Sequence, residues 1–155
     1  MDERGFTDAV SLHRDMLYRV AYTVLHNSED CADALQNALI KAWQRLDTLR
    51  DDARFKPWIT RIVINCSRDM LRGQKVRAVE LTEDIPAPQA EDPQLSEALA
   101  ELDERLRLPL ALYYMEGLSV REVAQALRLP QGTVKNRMHR GRERLAALLN
   151  EEEQQ

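Results

Sequence analysis

From Gln131 to Leu145 the sequence reads QGTVKNRMHRGRERL, with Lys135, Arg137, Arg140, Arg142 and Arg144 against one acid, Glu143. These residue types suit nucleic acid, since Lys and Arg meet guanine edges or phosphates and Asn meets adenine edges. On a helix, Lys135, Asn136, His139, Arg140 and Glu143 share one face. Val134, Met138, Leu145 and Leu148 can then face a core. Two readings of the charged face stand, a DNA-reading surface or a plain solvated one, and His139 fits either.

A second set lies upstream. Arg61, Asn65, Arg68, Arg72 and Lys75 fall at i, i+4, i+7, i+11 and i+14, one helical stripe. Phe55 and Trp58 stand at its entrance. Cations beside rings suit single strands, because bases stack on rings while cations follow phosphates. Trp58 equally suits a hydrophobic core. Enzymatic chemistry has no foothold. His13, His26 and His139 lie on different elements, with no catalytic triad order, phosphate loop or metal-ligand spacing. Cys31 and Cys66, without a nearby His pair, read as buried thiols. No cofactor and no metal are expected.

The formal net charge of -4 hides a segregation. Residues 56–77 carry net +5, residues 80–104 net -9 and residues 131–145 net +4. Two basic blocks around an acidic one suit two contacts with one polyanion. The acidic stretch VELTEDIPAPQAEDP holds three prolines and cannot be one continuous helix. It predicts a linker over residues 76–94, between domains at residues 1–75 and 95–155.

The remaining pattern is helical, and the fold class expected is all-α, with two small helical domains. Leu12, Met16, Val20 and Val24 mark one face of a first helix. Ser28 is the expected N-cap of a second, which runs to about Leu46 with Leu35, Leu39, Trp43 and Leu46 inward. Pro57 suits the first residue of a third, carrying Ile59, Ile62, Val63 and Cys66 inward and stopping at Gly73. Leu95–Leu106 and Leu108–Met115 are expected helices, with Gly117 ending the latter. SVRE at Ser119–Glu122 is a capping box opening a helix over Val120–Leu127. The turn RLPQG then leads into the basic helix, which makes a helix-turn-helix. No apolar run approaches the ~20 residues of a membrane span, and the acidic start MDERGFTDAV lacks a signal-peptide core, so a cytoplasmic protein without membrane insertion is expected.

Three segments, in order, resemble the extracytoplasmic-function (ECF) sigma factors of bacteria. GLSVREVAQALRLPQGTVKNRMHRGRERL is similar to the family's C-terminal promoter-reading domain. DALQNALIKAWQRL resembles its polymerase-binding helix, with Asn37 where the family usually carries Glu. FKPWITRIVINCSRDMLRGQK resembles its promoter-melting segment, followed by a thin basic run. The resemblance implies core RNA polymerase and promoter DNA, duplex and melted, as partners, and often an anti-sigma factor. It implies that Asp33, Gln36 and Asn37 contact the clamp helices of the polymerase's largest subunit. Lys135, Asn136, His139 and Arg140 would read the upstream (-35) element. Phe55, Trp58, Arg61, Asn65, Arg68, Arg72 and Lys75 would serve the downstream (-10) element, where the loop Leu46–Phe55 captures an extruded base. A stand-alone helix-turn-helix regulator, binding an operator without polymerase, is the alternative.

Overall fold

The computed structural model describes residues 1–76 and 93–153, and the side chains of residues 1–73 and 93–151. The chain divides into two compact units, Met1–Ala87 and Pro88–Gln155. Among the described residues all regular structure is helical. Most of the expected linker, residues 77–92, lies outside the described residues.

The first unit packs three helices against one another: α1 (Glu3–Leu25), α2 (Ser28–Gln44) and α3 (Phe55–Val76). Its core joins Leu17, Val20 and Val24 of α1 to Cys31, Ala34 and Ala38 of α2 and Ile59, Val63 and Ile64 of α3. The inward row of α2 is Ala34, Ala38 and Ala42. Small side chains let the neighbouring helices approach closely; of the row expected to be inward, Leu35 is buried and Leu39 and Leu46 are half-buried, while Trp43 is 47% exposed. Leu12 is 79% exposed, whereas Met16, Val20 and Val24 of the same expected row are buried, as is Phe6 at the start of α1. Asn27, not Ser28, caps α2: its backbone is extended and its side chain accepts from the Asp30 amide at 3.1 Å. The helix ends at Gln44, and Leu46 falls in a short 3-10 turn, Leu46–Thr48. A second such turn, Asp52–Arg54, feeds α3. Helix α3 therefore starts two residues before Pro57, where the first-turn amides still lack helical partners and Pro costs nothing. It continues through Gly73 to Val76. The buried hydroxyls of α3 are satisfied within the helix, Thr60 donating to the Lys56 carbonyl and Ser67 to that of Val63, each at 2.7 Å.

The second unit holds α4 (Pro93–Glu101), α5 (Glu104–Leu110), α6 (Val120–Leu127) and α7 (Gln131–Glu153). Pro93 and Gln94, expected in the linker, open α4. The helix expected over Leu95–Leu106 is broken, because Asp103 caps a new helix by accepting from the Arg105 amide at 3.1 Å. Buried Arg107 spans the break, its Nη1 donating to the Leu102 carbonyl at 2.8 Å. The expected helix Leu108–Met115 is the end of α5 running into a wider π turn, Ala111–Met115. Gly117 follows with φ 71°, a left-handed conformation that favours glycine. Ser119 and Glu122 form the capping box, both bonds at 3.1 Å, and α6 spans the residues expected. Helix α7 touches α4, α5 and α6. Val134, Met138, Gly141 and Leu148 are its buried row.

Candidate nucleic-acid interfaces

Burial of Val134 and Met138 turns the other face of α7 outward. Lys135, Asn136, His139 and Arg140 are all exposed there, as their spacing predicts. His139 Nε2 lies 3.1 Å from Glu143 Oε1, one turn on. Arg142 donates to the Tyr114 hydroxyl at 3.2 Å. Arg137, assigned to neither face by spacing, is half-buried. It borders a cleft of about 380 Å³ with Asp103, Arg105, Leu106, Thr133, Asn136 and Arg140.

On α3 the stripe survives with changes. Asn65 and Arg72 are exposed and Arg61 and Arg68 half-buried. Arg72 pairs with Asp69 on the same helix. The side chain of Lys75 lies outside the described residues. Phe55 does not offer its ring to a base: it is 4% exposed. Its ring instead packs with those of Phe6, His13 and Trp58, centroids 6.3, 5.9 and 5.9 Å away. An aromatic at the start of α3 satisfies the core before it can serve the surface. Trp58 is half-buried, and its indole Nε1 donates to Thr48 Oγ1 at 3.1 Å. Thr48 in turn donates to the Arg45 carbonyl at 2.7 Å. The indole is thereby tied to the loop between α2 and α3, and Thr48 is a residue that sequence spacing did not single out.

Asp33, Gln36 and Asn37 are exposed together on α2. Ile40, the next residue along that face, is 52% exposed. It borders a groove of about 450 Å³ with Asn37, Lys41, Gln44, Cys66, Asp69 and Met70. Cys31 and Cys66 are free, buried thiols. Burial pushes both up, Cys31 to about 11, so neither is a ready nucleophile. Among the described residues no group of three or more His, Cys, Asp or Glu is placed to hold a metal.

Both units match known protein families. Residues 9–77 match Sigma-70 region 2, and residues 93–145 match Sigma-70 region 4. The ECF RNA polymerase sigma factor SigM of Mycobacterium tuberculosis is 34% identical over 96% of this chain and 79% of its own length. This chain belongs to the ECF RNA polymerase sigma factors. SigW of Bacillus subtilis, of the same family, is 29% identical over 97% of this chain and 91% of its own. Among solved structures, the sigma factor RpoE in complex with the anti-sigma factor NepR from Bartonella quintana matches with TM-score 0.76. That match has 26% identity and covers 94% of this chain and 96% of that one. CnrH in complex with the cytosolic domain of CnrY matches with TM-score 0.72 and 28% identity, over 96% of this chain and 90% of that one.

As a sigma factor the protein binds core RNA polymerase and directs promoter recognition and transcription initiation. The matches support that reading over a stand-alone regulator. No helix among the described residues is long and apolar enough to cross a membrane. Sequence reasoning did not single out Thr48, which accepts from the Trp58 indole, or Arg105, Thr133 and Arg137, which line the cleft between α5 and α7. Only Arg137, inside the basic run, had a sequence signal.

Proposed function

We propose that the sigma factor divides its work among three surfaces, two on the first unit and one on the second. Asp33, Gln36 and Asn37 of α2 contact the polymerase clamp helices. Lys135, Asn136, His139 and Arg140 read the upstream element in the major groove. Trp58, Arg61, Asn65, Arg68, Arg72 and Lys75 hold the melted downstream strand, with Phe55 acting as a core support for Trp58. The loop Leu46–Phe55 takes an extruded base, whose unstacking costs a few kcal/mol. The protein performs no covalent chemistry of its own and works in the cytoplasm with polymerase. An anti-sigma factor that covers these surfaces is its regulator, as NepR accompanies Bartonella quintana RpoE.

The observation that carries this reading is the two-sided character of α7, with Val134 and Met138 buried and Lys135, Asn136, His139 and Arg140 exposed behind a capped α6. The test uses holoenzyme reconstituted with the full chain and a promoter that it selects from random DNA. Lys135→Ala or Asn136→Ala should cost ~1–3 kcal/mol at particular base pairs and relax preference there. Asp33→Ala with Gln36→Ala should instead weaken capture of core polymerase while leaving the helical content intact. Unchanged base preference in the first pair would remove α7 as the reader. Unchanged polymerase capture in the second would move that interface elsewhere.

A further inference from the structure

The loop between α2 and α3 has little core of its own. From Arg45 to Arg54 only Leu49 is buried. Its two short turns are closed locally. The Thr48 and Leu49 amides donate to the Arg45 and Leu46 carbonyls at 2.9 and 3.1 Å, and the Arg54 amide to that of Asp51 at 2.9 Å. These bonds shape each turn without fixing it to α3, and the apolar burial of Leu49 has no direction. Thr48 supplies a directed link. Its hydroxyl donates to the Arg45 carbonyl at 2.7 Å, the same oxygen that its own amide meets. With the hydroxyl proton so placed, a lone pair of Oγ1 faces Trp58, whose Nε1 donates to it at 3.1 Å. One hydrogen-bonded chain therefore runs from α3 through the loop to the end of α2.

Direction matters at Trp58. The buried Phe55 ring packs against the indole, centroids 5.9 Å apart and 43° from parallel. A ring contact alone lets the indole slide, whereas the N–H bond fixes which edge meets the loop. An indole has one donor and no acceptor. Thr48 occupies that donor, so half-buried Trp58 keeps only its ring for a melted strand. It can stack on a base but cannot read a base edge. The plane of the indole and the shape of the loop are thus set together, before DNA arrives. A pocket already in place binds without the entropy cost of ordering a loop at the moment of capture.

We propose that Thr48 is a positioning residue for base capture: its hydroxyl, held on the Arg45 carbonyl, locks the Trp58 indole to the loop and pre-forms the pocket for the extruded base. Thr48 itself reads no base. The inference rests on the assignment of the loop Leu46–Phe55 as the pocket. It adds a residue that neither the basic stripe on α3 nor any helical spacing indicates.

The test compares Thr48→Val, which keeps the shape of the side chain and removes the hydroxyl, with Thr48→Ser, which keeps the hydroxyl. Thr48 is exposed, so both should fold, which thermal unfolding verifies. In the free protein, hydrogen exchange at the Trp58 indole N–H should quicken in Thr48→Val and stay slow in Thr48→Ser. Holoenzyme is then bound to a premelted fragment of a promoter selected from random DNA, and to copies in which each unpaired base is replaced in turn by an abasic site. On the intact fragment Thr48→Val should bind about three- to ten-fold more weakly, the scale of one net hydrogen bond, and Thr48→Ser close to the parent. On the copy that lacks the captured base, Thr48→Val and the parent should bind alike, because the loop has nothing to hold. Equal losses on every copy would place the effect of Thr48 outside base capture and overturn the proposal. So would an unchanged indole exchange rate in Thr48→Val, no loss on the intact fragment, or a loss in Thr48→Ser as large as that in Thr48→Val. The parent alone tests the assignment beneath it. If one abasic position weakens the parent but Thr48→Val matches the parent throughout, only the role of Thr48 fails. If no abasic position weakens the parent, the loop is not a base pocket, and that assignment fails first.

Discussion

His13 lies against the face of Phe55, ring centroids 5.9 Å apart and 28° from parallel. Burial, and secondarily the Lys56 charge, lower its pKa below the usual histidine value. The folded unit therefore holds this imidazole neutral where the unfolded chain would bind a proton. Proton binding then favours the unfolded chain as pH falls below about 6.5, and stability is lost down to the folded pKa. Both tryptophans, Trp43 and Trp58, belong to the first unit, so their fluorescence reports its unfolding alone. In urea titrations from pH 7.5 to 5, the parent should lose more stability than His13→Gln, and the two curves should converge toward acid. Parallel losses across that range would show that His13 contributes nothing to the pH dependence. Phe55 gives the related lesson at this scale. An aromatic followed by a basic stripe suits a stacking site, but the ring's neighbours in space, Phe6 and His13, lie far earlier in the chain, on α1, and have no periodic relation to it.

Among elements, α7 is held to α5 by the absence of a side chain. A methyl group at Gly141 would come within 2.6 Å of Leu110 Cδ1 and 3.3 Å of the Leu106 carbonyl. Gly141→Ala gains about 1 kcal/mol of helix propensity, but overpacking costs typically 1–3 kcal/mol. Leu110 is itself fully packed and cannot swing clear. A net loss of about 1 kcal/mol is expected, visible as faster amide exchange across α5 and the middle of α7; a gain would mean that the two helices separate without penalty. Gly141 was not legible in the sequence as a contact, although the surrounding pattern was. The capping box at Ser119 and Glu122 and the extent of α6 followed from local chemistry, which sequence displays directly. So did the exposure of Lys135, Asn136, His139 and Arg140, because Val134 and Met138 fix the phase of α7. On α2 the expected row was right at Leu35 but wrong at Trp43, because large apolar residues outweigh Ala in a periodicity argument, whereas close helix packing also selects Ala34, Ala38 and Ala42. The break at Asp103 was hidden because the apolar pattern continues through it. Contacts joining separate elements, such as Trp58 with Thr48 or Arg105 with the first turns of α7, leave no signature in either segment alone.

For the molecule as a whole, charge sets the terms of DNA binding. Basic blocks of net +5 and +4 flank an acidic block of net -9, and the sum is -4. Alone, such a protein approaches DNA against its own field, and only groups within about 8–10 Å of a phosphate act at physiological salt. Bound to polymerase, the second basic block meets DNA at an effective concentration that for short tethers reaches ~mM, so modest patches suffice together. Weak binding by the free sigma factor then keeps promoter choice conditional on polymerase. The acidic residues Glu80, Glu83, Asp84, Glu91 and Asp92 are the means of testing this. Replacing these five with Gln or Asn moves the formal net charge from -4 to +1 without touching either basic block. In the free protein, affinity for promoter and scrambled DNA should rise alike, by roughly tenfold at low salt, and the gain should vanish as salt screens it. In holoenzyme, where polymerase supplies the tether, the same replacements should change promoter affinity far less. Fluorescence anisotropy with both fragments, with and without core polymerase, measures all four cases. Equal gains with and without polymerase would show that the acidic block opposes DNA at the promoter itself, and no gain in the free protein would show that it does not shield the basic blocks at all.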